Sequence, residues 1–238
     1  MGRTFVGMTG ASGHLYAEVL VRRLVALGRE VDLAITDAGA KVLAHERGIQ
    51  SGANGELSDV ALADWLGPEA VGRVYVWRRD AVEAPPSSGT HMTGGTVLIP
   101  CSMGTLARVS AGFSSNLVER AADVALKEGR NLILVPRETP LSEIHLENML
   151  RLARLGAVIL PAMPGFYHQP QSVEDLVEHV VGKVLDRLGI DRDDAVRWSG
   201  LEPSPERGTE RPSTGPGTER PATSRGTDPT PAQERRPS

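Results

Sequence analysis

Residues 3–13 of this 238-residue chain read RTFVGMTGASG, a short apolar run that ends in closely spaced small residues. An apolar run of this length, stopped by glycine, predicts a buried β-strand over Arg3–Met8. The next segment, His14–Leu27, places leucine and valine at helical spacing and turns Arg22 and Arg23 away from that face. A strand, a glycine-containing turn and a helix in direct succession are the repeating unit of a parallel α/β sheet.

The same alternation of apolar runs and helical patterns continues to about residue 190. Further strands are predicted over residues 31–35, 73–76, 96–100, 131–136 and 157–161. Helices are predicted over residues 38–45, 58–66, 116–127, 141–155 and 172–188. Three strand segments (TVLIP, NLILVP and AVILP) are apolar throughout, so helices are expected to cover both faces of the sheet. We therefore predict an α/β fold with a doubly wound parallel sheet, whose functional loops follow the carboxyl ends of the strands.

The composition excludes several classes of protein. The formal net charge is −4 and the pI is near 5.9, whereas broad nucleic-acid binding requires a basic face. Cys101 is the only cysteine, so no intramolecular disulfide can form and a reducing compartment is expected. No run of about 18 apolar residues is present, and the apolar run at the N-terminus is too short for a signal peptide. We expect a soluble cytoplasmic protein that binds neither nucleic acid nor membrane.

The composition changes sharply near residue 200. In residues 201–238, 33 of 38 residues are Pro, Gly, Ser, Thr, Glu or Arg, and the element GTERP occurs twice. Six arginines balance six acidic residues in this segment, so the net negative charge belongs to residues 1–200. Such a segment cannot bury enough apolar surface to offset its ordering entropy. We predict a single functional domain over residues 1–200 and a disordered tail over 201–238.

The loop after the first strand is GASG at residues 10–13. Glycine permits a tight turn, and free N–H groups at the start of the next helix, with the Ser12 hydroxyl, can bind an anion. The pattern favours a phosphate-binding loop; the alternative is a plain turn in which Ser12 caps the helix. The glycine spacing over residues 7–13 is also weakly typical of nicotinamide-dinucleotide folds. A short-chain dehydrogenase would need Tyr-x-x-x-Lys, however, and Tyr167 is followed by Gln171 at that spacing.

A second loop of small and hydroxylic residues, CSMGT at 101–105, follows the strand over residues 96–100. Two hydroxyl-rich loops at strand ends suit a mononucleotide with one phosphate and a ribityl chain. Cys101 can act as a nucleophile only beside a base, which the sequence does not place; the alternative is a small buried residue at a strand end. The six histidines are scattered and form no zinc-binding pair, so no metal site is predicted.

The sequence RETP at residues 137–140 stands at another strand end. Arg137 can hold a phosphate in bidentate geometry, and Glu138 can carry a proton to or from a leaving group. The alternative is a surface ion pair, with Thr139 capping the next helix and Pro140 at its first position.

Three further side chains have ordinary explanations when each is taken alone. Lys127 ends a predicted helix, where a positive charge is favourable. Tyr167 lies in a proline-rich loop after the last strand, and Lys183 is expected on a solvated helix face.

Several segments form a recognisable set in their order along the chain: TGASG, SSGT, LIPCSMGTLA, ERAADVALKEGRNLILVPRETPL and LGAVILPAMPGFYHQPQSVEDLVEHVVGKVLDRLGI. Together they resemble the UbiX-type flavin prenyltransferases, from about Arg3 to Trp198. RETPL, the P-CS loop and FYH-PQ at their mutual spacing are far more specific than any glycine motif. The resemblance implies a flavodoxin-like or Rossmann-like fold that assembles as a homo-oligomer, usually a dodecamer.

The resemblance also implies an activity. Members of this family join the dimethylallyl group of dimethylallyl phosphate, or of the diphosphate in some members, to N5 and C6 of reduced FMN. The products are phosphate and prenylated FMN, the cofactor of UbiD-type decarboxylases, and no metal takes part. An allylic phosphate ionises only when the departing phosphate is stabilised, which suits a pocket rich in cations and hydroxyl groups.

Binding residues are carried over by motif. The FMN-binding positions are Gly10, Ala11, Ser12, Thr36, Ser102, Met103, Gly104, Thr105 and Arg137. Lys127, Tyr167 and Lys183 match positions that hold the donor phosphate. Ser87, Ser88 and Gly89 match a loop near the isoalloxazine. Some relatives carry lysine at the Gly104 position, and many carry arginine at the Lys183 position.

Catalytic roles are implied for Ser12, Glu46, Lys127 and Glu138. Lys127 stabilises the departing phosphate, and Glu138 relays a proton together with Ser12. The base that takes the proton from C6 is either Glu46 or the bound phosphate, and the sequence leaves both open.

Two alternatives share this fold. FMN-dependent cysteine decarboxylases carry a catalytic histidine after the second helix and a Pro-x-Met-Asn loop, whereas here His45 is only loosely placed and RETP replaces that loop. A non-catalytic FMN carrier binds flavin without turnover and has no need of Glu138 beside Arg137. An NAD(P) oxidoreductase is disfavoured because the Tyr-x-x-x-Lys motif is missing.

Overall fold

All six predicted strands are present and form one parallel sheet. The computed structural model describes residues 2–191, and the predicted tail at 201–238 lies outside them. The strands are β1 (Thr4–Met8), β2 (Val31–Ile35), β3 (Val74–Trp77), β4 (Thr96–Cys101), β5 (Leu132–Pro136) and β6 (Val158–Ile159). Their order across the sheet is β3-β2-β1-β4-β5-β6, and every neighbouring pair is parallel. The predicted doubly wound α/β fold is confirmed.

The helices match the predicted segments to within two residues at each end where a segment was delimited. Those in residues 2–191 are α1 (His14–Ala26), α2 (Asp37–Arg47), α3 (Asp59–Leu66), α4 (Met103–Ser110), α5 (Leu117–Lys127), α6 (Glu143–Arg154) and α7 (Val173–Arg187). For three helices, the predicted segment begins one residue before the observed helix, because the first predicted residue is the N-cap. Ser58, Asn116 and Ser172 each accept a hydrogen bond from the backbone N–H three residues later.

The strand order reverses between β1 and β4. β1 pairs with β2 on one side, where Met8 lies opposite Ile35, and with β4 on the other, where Gly7 lies opposite Leu98. The connections from β1 and β4 therefore leave toward opposite faces and open a crevice at the carboxyl ends of these two strands. Ligands of open α/β sheets bind at such a switch point.

Two apolar clusters, one on each face of the sheet, form the core. Val6 and Leu33 pack on one face with residues of α1 and α7, such as Leu20 and Val181. On the opposite face lie Phe5, Leu98 and Leu134, with residues of α4 and α5. Because side chains alternate along a strand, both faces are apolar, which explains the uninterrupted apolar runs of the sequence. No helix among residues 2–191 is long and apolar enough to cross a membrane.

Candidate functional site

The crevice at the carboxyl ends of the strands is lined by loops that follow β1, β2, β4 and β5. These loops carry Ser12, Thr36, Ser102 and Arg137, in that order along the chain. The structure thus brings together all four segments that the sequence assigned to flavin binding.

Glu46, near the end of α2, closes the N-terminus of α1. Its carboxylate accepts hydrogen bonds from the backbone N–H of Gly13 (3.1 Å) and of His14 (2.9 Å). The N-cap residue is Gly13, whose backbone is in the left-handed region at φ 106°. The N-cap residue itself therefore supplies no side-chain hydrogen bond to the helix. The alternative in which Ser12 caps α1 is therefore wrong. The helix-start donors that we expected to be free for a phosphate are directed at Glu46.

The pKa of Glu46 reflects two opposing effects. Burial alone would raise the pKa, but hydrogen bonds from the Ser12 hydroxyl and from the His14 and Gly13 backbones outweigh it. The net result is a pKa below its usual range, since these donors stabilise the charged form. Glu46 is thus an anchored anion that also holds the Ser12 hydroxyl.

Thr9 connects the first and second loops, and the sequence analysis missed it. Its hydroxyl donates to the Pro100 carbonyl (2.8 Å) and accepts from the Ser102 backbone N–H (2.7 Å). Its carbonyl lies 3.0 Å from Nε2 of the buried His14. A threonine at a strand end gives no sequence signal of its own, because it is indistinguishable there from an ordinary core residue.

His14 is completely buried at the first position of α1. Burial lowers its pKa, and the contacts with the Thr9 carbonyl and Glu46 only partly oppose this effect. The neutral ring donates from Nε2 to Thr9, which leaves Nδ1 without a partner among the described residues. His14 therefore serves to fix the first loop rather than to carry charge.

The second loop is fixed through its own hydroxyl groups. Ser102 caps α4 by accepting from the Thr105 backbone N–H (3.3 Å), and the two hydroxyls lie 3.1 Å apart. Met103 and Thr105 are buried, with 6% and 2% of their surface exposed. Gly104 is exposed, and a Cβ there would meet only the tip of Arg108, at 3.5 Å. The surface that this loop offers to a ligand is thus Ser102 and the backbone at Gly104.

Small residues allow the first loop to approach α2. A Cβ on Gly10 would lie 2.6 Å from the Ala38 Cβ, and one on Gly39 would lie 2.8 Å from the Met8 carbonyl oxygen. Thr36 caps α2 by accepting from the Gly39 backbone N–H (3.1 Å) and is nearly buried. Any larger residue at position 10 would push the loop out of the crevice.

Cys101 is a structural residue rather than a nucleophile. It is completely buried at the end of β4, and burial raises the pKa of its thiol to about 12. Arg108 only slightly counteracts this effect. Because the thiolate is the nucleophilic form, the alternative of a small buried residue applies.

Arg137 spans the crevice from β5 to the first loop. Its Nε donates to the Ser12 carbonyl (3.2 Å), and its side chain is otherwise exposed. Glu138 accepts from the Thr139 backbone N–H (3.1 Å) and is half-buried. Within residues 2–191, neither Nη atom of Arg137 has a partner, so both are available to an anion.

The ordinary interpretation of RETP is wrong in two respects. α6 begins at Glu143 and its N-cap is Ser142, which forms a capping box with His145, so neither Thr139 nor Pro140 starts the helix. Glu138 bonds to Thr139 and not to Arg137. Arg137 and Glu138 are therefore independent groups at the mouth of the crevice.

Lys127 lies near the N-terminal ends of the strands, whereas Arg137 lies at their carboxyl ends. Leu117, the first residue of α5, donates to the carbonyl of Arg79, just after the carboxyl end of β3, so α5 runs back toward the beginning of β5. Arg137 follows the end of β5, whose five residues separate the two edges by roughly 16 Å. Lys127 pairs instead with Glu128 (2.8 Å).

The segment Ser87–Gly89 lies against α5 and not in the crevice. The Arg120 Nε donates to the Ser87 carbonyl (3.2 Å). A Cβ on Gly89 would lie 3.1 Å from the Lys127 Nζ. Lys127 and this segment are therefore neighbours of each other, and neither reaches the crevice of its own chain.

Tyr167 and Lys183 share a third location. They line a cavity of about 430 Å³ with Arg23, His168, His179 and other residues of α7 and the preceding loop. None of the flavin-binding loops contributes to this cavity. The residues that the sequence predicted for the site thus lie in three places within one chain. These are the crevice, the surface around Lys127 and Gly89, and the α7 cavity.

The crevice suits a flavin mononucleotide. Arg137 offers two free Nη atoms for a phosphate, and Ser12 and Ser102 offer hydroxyl groups suited to a ribityl chain. The close approach of Gly10 to Ala38 packs the first loop against α2 beside these groups. No group of three His, Cys, Asp or Glu able to hold a metal ion occurs in the part of the chain that the structure describes.

Comparison with known proteins agrees with this site. The profile of the Flavoprotein family matches residues 2–185, so the chain is a member of that flavoprotein family. A flavin prenyltransferase UbiX from Pseudomonas aeruginosa is 50% identical over 196 residues, which cover 82% of this chain and 93% of the relative. Within the flavoproteins, the chain belongs to the UbiX flavin prenyltransferase family.

Two crystal structures show the same fold. AnUbiX in complex with FMN and dimethylallyl pyrophosphate matches with a TM-score of 0.74 and 38% identity, covering 84% of this chain and 99% of that one. A dodecameric FMN-dependent UbiX-like decarboxylase from Escherichia coli O157:H7 matches with a TM-score of 0.71 and 41% identity, covering 83% and 100%. The predicted family and fold are confirmed.

Proposed function

We propose that this protein transfers the dimethylallyl group of dimethylallyl phosphate to N5 and C6 of reduced FMN, releasing phosphate and prenylated FMN without a metal. The observation that carries the proposal is the contact between the Arg137 Nε and the Ser12 carbonyl. It joins the RETP motif to the TGASG loop, so one of the most specific motifs of the family and its first flavin-binding loop border one crevice. Membership of the UbiX family supports the same reaction.

Reduced FMN supplies the nucleophilic atoms N5 and C6. The chain's own residues must bind the donor, stabilise its departing phosphate and move a proton. Arg137 is suited to the phosphate because its planar fork presents two N–H groups in a fixed geometry. Glu138, next to it, is suited to protonating the phosphate as it leaves, together with the Ser12 hydroxyl.

Glu46 is better suited to an indirect role than to the role of base. A carboxylate whose pKa is held low by three hydrogen bonds is a weak proton acceptor. We infer that Glu46 orients Ser12 and that the bound phosphate takes the proton from C6. The low pKa of Glu46 supports the bound phosphate over Glu46 as this base.

Lys127 would act in the crevice of a neighbouring subunit. In its own chain it lies near the beginning of β5, whereas Arg137 follows the other end of that strand, which is roughly 16 Å long. A monophosphate is a poor leaving group and needs several cations, so a complete site requires Lys127 from another chain. Ser87, Ser88 and Gly89 lie beside Lys127 in the same chain. They would therefore approach the isoalloxazine from the same neighbouring subunit.

Exposed apolar side chains support this assembly. Several large ones on α6, in the loop after β6 and at the start of α7 have more than half of their surface exposed: Ile144, Leu146, Leu150, Met163, Phe166 and Val173. A surface of this kind on a monomer is a site of association. A homo-oligomer, and a dodecamer as for the E. coli relative, is therefore proposed.

The remaining assignments follow from the activity. Tyr167 and Lys183, like Lys127, lie outside the crevice of their own chain and would bind the donor phosphate in the crevice of a neighbouring subunit. A UbiD-type decarboxylase would receive the product. A cytoplasmic location suits the reduced flavin and the buried thiol of Cys101. The cysteine decarboxylase alternative lacks its loop motif, because RETP occupies that position.

The reaction is tested by anaerobic incubation of the full chain with reduced FMN and dimethylallyl phosphate, followed by mass spectrometry of the extracted flavin. A gain of one C5H8 unit with release of one phosphate supports the proposal. Bound but unmodified FMN, with the diphosphate also inert, contradicts it and favours the carrier or the cysteine decarboxylase. A parallel incubation without donor controls for other flavin chemistry.

A further inference from the structure

Three aromatic rings meet at the wall of the α7 cavity. The imidazole rings of His168 and His179 are stacked, with their centroids 5.0 Å apart and their planes within 1°. The Tyr167 ring stands edge-on to both, at 5.5 Å from His168 and 5.4 Å from His179. Tyr167 itself is about half exposed, and these two edge-on contacts help to orient its ring.

The backbone is shaped to accept this arrangement. A Cβ on Gly165 would lie 2.9 Å from the Tyr167 Cε1 and 3.4 Å from the His179 Nε2. Glycine at position 165 therefore lets the Tyr167 ring lie flat against the loop, and any side chain there would displace it.

The surroundings of His179 favour its neutral form. Burial lowers the pKa of His179, and His168 and Lys183 lower it further. Neither ring nitrogen of His168 has a hydrogen-bond partner or solvent contact among the described residues. Two imidazolium rings at this separation would repel each other.

The charged groups that face the stack do not remove this repulsion. From α1, Arg23 pairs with Glu178 (2.9 Å). On α7, the Asp175 carboxylate accepts from the Gln171 and Ser172 backbones, and Lys183 adds positive charge. Asp186 also lines the cavity, further along α7. Glu178 and Asp175 thus have other partners, although His168 contributes, after the Gln171 and Ser172 hydrogen bonds, to holding the pKa of Asp175 below its usual range.

We propose that His168 and His179 are positioning residues for Tyr167, and that their stack holds the Tyr167 ring only when at least one imidazole is neutral. The proposal rests on the proposed function, which assigns Tyr167 to the donor phosphate. Acidification would then weaken donor binding without altering the flavin crevice, since none of the crevice loops lines this cavity.

The kinetic test measures KM for dimethylallyl phosphate at about pH 5.5 and about pH 7.5 in the wild type, His179→Phe and His179→Ala. The donor phosphate also titrates in this window, but it does so equally for every variant. We expect the rise in KM on acidification to be at least about fivefold larger in the wild type than in His179→Phe, which keeps a ring but no charge. Equal rises would overturn the proposal.

Two further variants separate positioning from folding. His179→Ala removes the ring, so its KM is expected to be raised at both pH values with kcat within about twofold of the wild type. Gly165→Ala displaces Tyr167 but leaves the stack titratable, so its KM is expected to rise and to keep its pH dependence. An unchanged KM in both variants, with FMN affinity intact, would contradict the positioning role.

An NMR titration of the histidine ring protons decides the proposal independently of turnover. In the wild type, the Tyr167 ring signals are expected to change together with those of His179 on acidification. In His179→Phe, this change in the Tyr167 signals is expected to be lost. Titration of His179 with unchanged Tyr167 signals would refute the stack mechanism. Unmodified flavin in every kinetic assay would instead refute the proposed function.

Discussion

The carboxylate of Glu46 lies 2.9 Å from the backbone nitrogen of His14, so a side chain of α2 occupies the N-terminus of α1. A helix N-terminus is ordinarily a binding site for an anionic ligand. Here the protein supplies the anion itself, and the same carboxylate holds the Ser12 hydroxyl. The ligand phosphate can instead be bound by the exposed Nη atoms of Arg137, whose Nε donates to the Ser12 carbonyl of the same loop.

Glu46→Gln should lower the stability of the folded chain at neutral pH, because a weaker acceptor replaces the capping carboxylate. The expected loss is about 1 kcal/mol, or about 2–4 °C in Tm. The pKa of Glu46 is lowered in the folded state from 4.5. Its contribution is therefore complete above the unfolded pKa and is lost as pH falls through the folded pKa.

The measurement is thermal unfolding of the wild type and of Glu46→Gln at fixed protein concentration, at neutral pH and below pH 4.5. The difference in Tm should narrow in acid. A difference that stays constant would show that Glu46 does not act through its charge.

Thr9→Val should weaken both loops at the switch point. It leaves the Ser102 N–H and the Pro100 carbonyl without the Thr9 hydroxyl, at a cost of about 1–3 kcal/mol. Thr9→Ser keeps the hydroxyl and should restore most of the stability and of the FMN affinity. Chemical denaturation and FMN fluorescence titration test this expectation. Equal behaviour of the two variants would mean that the hydroxyl is not what joins the loops.

Glu138→Gln should leave FMN bound but slow prenylation by at least about tenfold, because glutamine cannot deliver a proton to the departing phosphate. The side chain is half-buried and its local bond is to the Thr139 backbone, so the fold should tolerate the change. Single-turnover assays by mass spectrometry of the flavin give the rate. Unchanged turnover would remove Glu138 from the proton relay.

Deletion of residues 201–238 should leave Tm and prenyl transfer essentially unchanged. The prediction comes from composition alone, since this segment lies outside the described residues and contains one large aliphatic residue, Leu201. Thermal unfolding and the flavin assay on the truncated chain check it. A large loss of either property would show that the segment has a structural or catalytic role.

The strands, most helices and the location of the crevice were predictable because they depend on local patterns. Short, mainly apolar runs located the strands, several of them bounded by glycine or proline, and the parallel topology then placed the motifs at the carboxyl ends of the strands. The two edge strands were the least accurate. β6 is only two residues long, because it pairs on one side and its predicted end contained Pro161, which cannot donate to a ladder.

The contacts within the site were less predictable. Glu46 and His14 are 32 positions apart, and nothing local indicates that one caps the other. Thr9 acts through a buried bond to Ser102 that only the β1–β4 pairing creates. The position of Lys127, however, could have been predicted from the sequence. A helix that connects two parallel strands ends near the N-terminus of the second strand, and Lys127 is the last residue of such a helix.

The most direct test of this account mixes two inactive variants, Lys127→Ala and Arg137→Ala, in one oligomer. If each site takes Lys127 from one chain and Arg137 from another, random assembly of equal amounts gives both residues in about a quarter of the sites. Co-expressed variants should then form prenylated FMN at about a quarter of the wild-type rate, although each variant alone is inactive. Mixed oligomers that form no prenylated FMN would contradict a site shared between subunits.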